Sequence, residues 1–209
     1  MARSYNEIAA RDLSRIAALS DGLFAIAMTL IVLEIRVPDP ATITTDQQLW
    51  DALVALAPRF VTYLLSFLTL GIFWSAQHTQ LSLFERGDRN LSWLELAFLA
   101  AVAITPFSTA LLAEFIQLRL ALVLYWANIA LLGALVYACW AYADRAGLVR
   151  ADVGPEVAHL IRRRIGVAQA LYLVGMLLCV VNTYWSIAFI VLVQLFFAVA
   201  PRIPRLWRL

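Results

Sequence analysis

Charge is what this sequence has least of. Of its 209 residues only 14% are Asp, Glu, Lys or Arg, against about 25% in a soluble domain. Lysine is absent, so all sixteen basic residues are Arg, and fourteen acids leave a net charge of +2. That balance is no nucleic-acid footprint. Two cysteines, Cys139 and Cys179, lie in separate apolar runs without metal spacing, which argues against a disulfide framework and says little about redox compartment. Histidine is as scarce, with His78 and His159 alone. The chain has no Gly-x-Ser-x-Gly elbow, no His-Glu-x-x-His and no phosphate loop, so nothing in it suggests an enzyme. A Thr-Val-Gly-Tyr-Gly filter is missing too, which removes the ordinary tetrameric route to potassium selectivity.

What is present is apolar. Hydrophobic residues make up 63% of the chain and the mean hydropathy is +0.82. Too little polar surface remains to cover a water-facing globule, and a chain this apolar does not stay disordered. An integral membrane protein is the class left. A bilayer core of about 30 Å takes roughly 20 apolar residues as a helix. Six stretches qualify, at about 16–37, 53–78, 91–113, 118–143, 165–181 and 185–200. They are apolar on every face rather than alternating, which favours helices over a barrel. The expected fold is therefore all-α, a single membrane domain over residues 1–209 with six spans. The first run is too long for a signal peptide and reads as a retained helix. No repeat links residues 1–110 to 111–209, which weakens an inverted-repeat transporter.

The arginines orient these spans. With a cytoplasmic N-terminus, thirteen of them fall inside and only Arg36, Arg59 and Arg119 outside, a positive-inside pattern. The outer segment 38–51 is acidic, carrying Asp39, Asp46 and Asp51. The triplet Arg162-Arg163-Arg164 reads as a cytoplasmic anchor for the fifth helix, with anionic headgroup binding as its second reading.

Polar residues at membrane depth are the informative ones. Asp21 lies about 7–8 Å into the first helix. Arg15 is about 240° round the same helix, outside i+3/i+4 reach, so both look toward other helices or another subunit. His78 shares a face with Trp74 one turn earlier, and Glu95 enters the third helix at similar depth. Ser20, Asp21, His78 and Glu95 thus form a candidate cluster, read either as a structural knot or as a proton-linked site. Ile26, Leu30 and Leu33 make one apolar stripe, and Phe24, Met28, Ile31 and Ile35 another. Periodicity leaves open which of them faces a pore, and such stripes commonly serve packing. Thr29 is expected to bond back to a carbonyl of its own helix. Glu34 suits a pore mouth or an outward reach beside Arg36. Gln77, Asn128, Gln169 and Gln194 are lone amides of the kind that bond between helices, and His159 reads as a solvated loop residue.

The run from Arg15 through Leu19-Ser20-Asp21-Gly22 into Leu-Phe-Ala-Ile-Ala-Met-Thr-Leu resembles the transmembrane protein 175 family of cation channels. Phe73-Trp74-x-x-x-His78 and Pro106-Phe107 are similar to its second and third helices. The resemblance implies a homotetramer whose first helices line a central potassium-favouring pore. It further implies a constriction at Ile26, Leu30 and Leu33, and a selectivity hydroxyl at Thr29. An interhelical polar network would hold Arg15, Ser20, Asp21, Trp74 and His78, with Glu95 where Asn is expected. Leu19 stands where Phe is usual. The implied partners are further copies of the chain and the bilayer, with no nucleic acid, no soluble partner and no cofactor beyond the permeant K⁺. A symmetric ring fits the residues, because one first helix cannot enclose an axial pore, and a ring of Ile and Leu can close by dewetting. The alternatives are a proton-coupled transporter using Asp21, His78 and Glu95, and a structural membrane subunit.

Overall fold

The computed structural model describes residues 12–199. Arg3, Arg11, Arg202, Arg205 and Arg208, counted above on the arginine-rich side, lie outside them. The described chain is all helical, apart from one isolated β-bridge between Phe84 and Val149. Its helices are α1 (Ser14–Leu30), α2 (Asp46–Ala55), α3 (Ala57–Leu83), α4 (Arg89–Glu114), α5 (Arg119–Arg145), α6 (Pro155–Leu177) and α7 (Thr183–Val199). All but α2 and α7 are long and apolar enough to cross a membrane, counting the 3₁₀ turns that extend α1 and α6. The short apolar α7 of 17 residues reaches about 25 Å. The chain is a multi-pass membrane protein.

Three boundaries differ from the apolar runs. The acidic outer segment leads into α2, which the apolar runs did not mark and whose first turn is closed by a capping box between Thr45 and Gln48. A turn at Leu56 leads into α3, with Pro58 in its opening positions, where a missing N–H costs nothing. α6 begins at Pro155, well before the apolar run at Ile165, so the arginine triplet lies within a helix. The first run leaves α-geometry after Leu30, and a 3₁₀ turn over Ile31–Glu34 carries Leu33.

α5 packs most extensively on α4, while α1 rests on both α3 and α4, and α7 joins α3 to α6. The central core gathers Phe24 of α1, Leu65 and Phe73 of α3, Phe98 of α4, Tyr125 and Ile129 of α5, Tyr172 of α6 and Ile190 of α7. A smaller cluster closes the far end, where Phe84 stacks on Trp140 at 5.8 Å. There the α3–α4 and α5–α6 connections are tied together by Glu85 N–H to Leu148 O and Arg150 N–H to Leu83 O. Gly147, at φ +65°, ends α5 in a Schellman motif, with Leu148 N–H bonding Ala143 O. Beside it, Arg150 and Asp152 pair at 2.5 Å, and that hydrogen-bonded charge holds the Asp152 carboxyl below its ordinary range.

The two ends differ in charge. At one, Arg59 pairs with Glu114 and also donates to the Glu34 carbonyl, while Arg119 donates to the Val180 carbonyl. The opposite end carries Arg150 and the triplet, with Arg162 paired to Asp144.

Candidate functional site

The α1 helix has two faces. Ser20, Phe24, Ala27 and Ile31 are buried against α3 and α4. About 130° around the axis lie Leu19, Gly22, Ile26, Thr29 and Leu30, all exposed. Ile26 is 60% exposed, Leu30 45% and Leu33 67%. The two stripes thus differ in burial within a single chain. Phe24 and Ile31 are core residues, with Phe24 tilted against Phe98 at 6.0 Å, and Ile26, Leu30 and Leu33 are unpartnered. Thr29 donates to the carbonyls of Ala25 and Ile26, both at 2.9 Å. Its hydrogen is spent on its own helix, and its oxygen remains on the exposed face.

The polar residues at the base of α1 form two groups. In the buried one, Ser20 donates to Gln77 Oε1, and Gln77 Nε2 donates to Glu95 Oε2 at 2.6 Å. Glu95 is 1% exposed, its Oε1 has no hydrogen-bond partner, and the Cys139 thiol lies beside it. In the exposed group, Trp74 Nε1 donates to Asp21 Oδ1 at 2.8 Å, and the same indole stacks on His78 at 5.7 Å. Both groups fasten α1 to α3.

The expected single network is therefore divided. Ser20 and Glu95 meet only through Gln77, which the sequence offered merely as a lone amide. Its signal was the buried stripe Phe73, Gln77, Gln80 on α3. No hydrogen bond joins Glu95 to Asp21 or His78 among the described residues, because successive positions on α1 and α3 point to different sides. A relay through all three is not formed. Arg15 is exposed and joins neither group; its charge acts on Asp12, which hydrogen bonds from Ser14 hold below the ordinary carboxylate range. Glu34 is held by its carbonyl, through Arg59, and not by a bond to Arg36.

The amides and hydroxyls deeper in the bundle lie away from α1. Tyr125 meets Ser66 and Thr69, Asn128 donates to Thr105, and Gln194 donates to Thr69. They join α3, α4, α5 and α7. His159 is exposed.

This arrangement has solved and curated counterparts. The family described as "Endosomal/lysosomal potassium channel TMEM175" matches residues 15–106, a stretch that holds α1 and every residue of both polar groups. A potassium channel of Chamaesiphon minutus is 36% identical over 194 residues, covering 90% of this chain and 94% of that protein. The chain belongs to the TMEM175 family. A crystal structure of a lysosomal potassium-selective TMEM175 homolog from Chamaesiphon minutus superposes with a TM-score of 0.77 at 30% identity, over 90% of this chain and 97% of that one. Other TMEM175 relatives match over less. A Streptomyces collinus potassium channel is 44% identical over 103 residues, 48% of its own length. The human endosomal/lysosomal proton channel TMEM175 is 36% identical over 99 residues, 20% of its length.

Proposed function

We propose that this chain is one subunit of a homotetrameric, potassium-favouring cation channel that conducts passively. Four copies of α1 surround a central axis, and Ile26, Leu30 and Leu33 constrict it. The observation that carries this reading is the face of α1 that stays uncovered while the opposite face is packed like a core. Lipid alone would cover such a face, but then Thr29 and the tilt-fixing groups at its base would have no evident use. In a ring, the apolar rims exclude water and form a barrier that widens or dewets. Thr29 supplies a hydroxyl oxygen beside it, and Glu34 draws cations toward the mouth. Permeant K⁺ is cargo, and conduction calls for no cofactor. The relatives named as potassium channels support the choice of ion.

The membrane is the cell membrane, with both termini cytoplasmic, as the arginine distribution asks. The Ser20–Gln77–Glu95 and Asp21–Trp74–His78 groups act as positioning residues that hold α1 at a fixed angle to α3.

Purified protein reconstituted in liposomes under a potassium gradient is expected to carry current, and light scattering in mild detergent is expected to give four chains per particle. Ile26→Ala and Leu30→Ala should raise conductance or lower selectivity. Silence across voltages, a monomeric particle, or unchanged currents in both variants would each count against the reading.

A further inference from the structure

A cavity of about 370 Å³ lies between α3, α6 and α7. That volume is within the roughly 300–1,000 Å³ usual for small-molecule sites. Its wall is mostly apolar, including Leu68, Ile72, Ile165 and Ala168. Two polar features set it apart from a packing defect. Tyr172 lines it at 1% exposure, with its hydroxyl beside the Gln194 amide. At the arginine-rich end Arg164 also lines it, lying over the Phe197 ring at 5.9 Å, with no carboxylate in ion-pair reach among the described residues.

Two members of the triplet thus differ. Arg162 is neutralised by Asp144, whereas Arg164 keeps its charge at a cavity mouth. Residues 200–209, which follow α7, carry three further arginines and no acid. An uncompensated guanidinium above an apolar slot complements a ligand with an anionic head and a hydrocarbon tail.

We propose that this cavity binds an anionic phospholipid of the adjoining leaflet. The phosphate is held by Arg164, and one acyl chain enters between α3 and α6. Arg164 and Tyr172 are separated by about 12 Å along α6, so the chain, not the headgroup, reaches the Tyr172 level. There the Tyr172 phenol, in a wall that also carries Ser75, Thr79, Gln80 and Gln169, limits how far the chain enters. No residue of α1 lines the cavity. Each subunit carries its own copy, in the gap between α3 and α6 beside α7. Because α3 also anchors α1, an occupied cavity braces the helix on which the pore helix rests.

The test uses the full chain in nanodiscs with trace phosphatidylglycerol bearing a diazirine in its acyl chain, and phosphatidylcholine with the same chain as reference. Labelled peptides are mapped by mass spectrometry. Phosphatidylglycerol is expected to label Ile165 and Ala168 peptides about fivefold more than phosphatidylcholine, the increment one Arg gives near an anionic headgroup. Arg164→Gln should bring the two lipids to the same level, and Ala168→Phe should remove the labelling of both. Outward-facing Val167 and Leu173 report bulk lipid and should not distinguish them. Equal labelling by the two lipids overturns the proposal, as does labelling confined to Val167 and Leu173. So does an Arg164→Gln variant that labels like the parent, and so does displacement by excess inorganic phosphate. The Arg164→Gln arm stands even if the larger Ala168→Phe change prevents folding.

Discussion

Glu95 accepts from Gln77 and has only the weak Cys139 thiol beside it, with 1% of the residue exposed. A buried carboxylate with one donor has lost most of its hydration without full replacement. Glu95→Gln keeps an oxygen for Gln77 and replaces a buried acid with a neutral amide. It should therefore raise the thermal unfolding midpoint in detergent, read by circular dichroism. Gln77→Ala should do the opposite, since it strands both Ser20 and Glu95, at about 1–3 kcal/mol. A midpoint unchanged in both variants would show that the buried group carries no strain. At this scale the sequence was partly readable. Ser20, Asp21, Trp74, His78 and Glu95 stand out as polar residues in apolar helices. Their partition was not readable, because it depends on which way α1 and α3 are rotated against each other. That rotation also chose Gln77 as the joint and left Arg15 outside.

Within the bundle, small residues and hydroxyls let helices meet closely, and the ion pairs lie toward its ends. The α6–α7 hairpin shows a close approach. A Cβ added to Gly175 would stand 2.6 Å from Ile190 Cγ1 and 3.2 Å from Phe189 Cδ1. Ser186 also donates to the Gly175 carbonyl at 2.5 Å. Such contact between backbones is how apolar helices associate where burial from water gives no drive. Gly175→Ala forces the hairpin apart and should cost about 1–3 kcal/mol, seen as a lower temperature for loss of the intact chromatographic peak. A variant as stable as the parent would mean that α7 shifts freely on α6. Tyr125→Phe tests the other device. It removes the hydroxyl shared by Ser66 and Thr69, for an expected loss near 1 kcal/mol. The apolar runs located the long helices well, since length and hydropathy are local properties. They missed α2, although Thr45-x-x-Gln48 is a legible capping box. They also started α6 too late, because a helix continues past its apolar stretch wherever polar residues meet water.

At the scale of the whole molecule, the small net charge conceals a division between ends. Arg59 and Arg119 are tied to backbone or acid at one end, and Arg150 and the triplet stand at the other. An excess of arginine resists translocation, so the proposed orientation puts the second end in the cytoplasm. The native cysteines make a direct measurement practical, since Cys139 and Cys179 are free but buried and slow to meet a bulky reagent. A thiol introduced by Ala41→Cys lies in the exposed connection before α2, and one introduced by Asp152→Cys lies between α5 and α6. In intact cells a membrane-impermeant maleimide should label the Ala41→Cys protein and leave Asp152→Cys unlabelled until the membrane is broken. The reverse pattern would place the arginine-rich end outside. It would also move Glu34 from the outer mouth of the proposed pore to the inner one, and set the Arg164 cavity against the opposite leaflet.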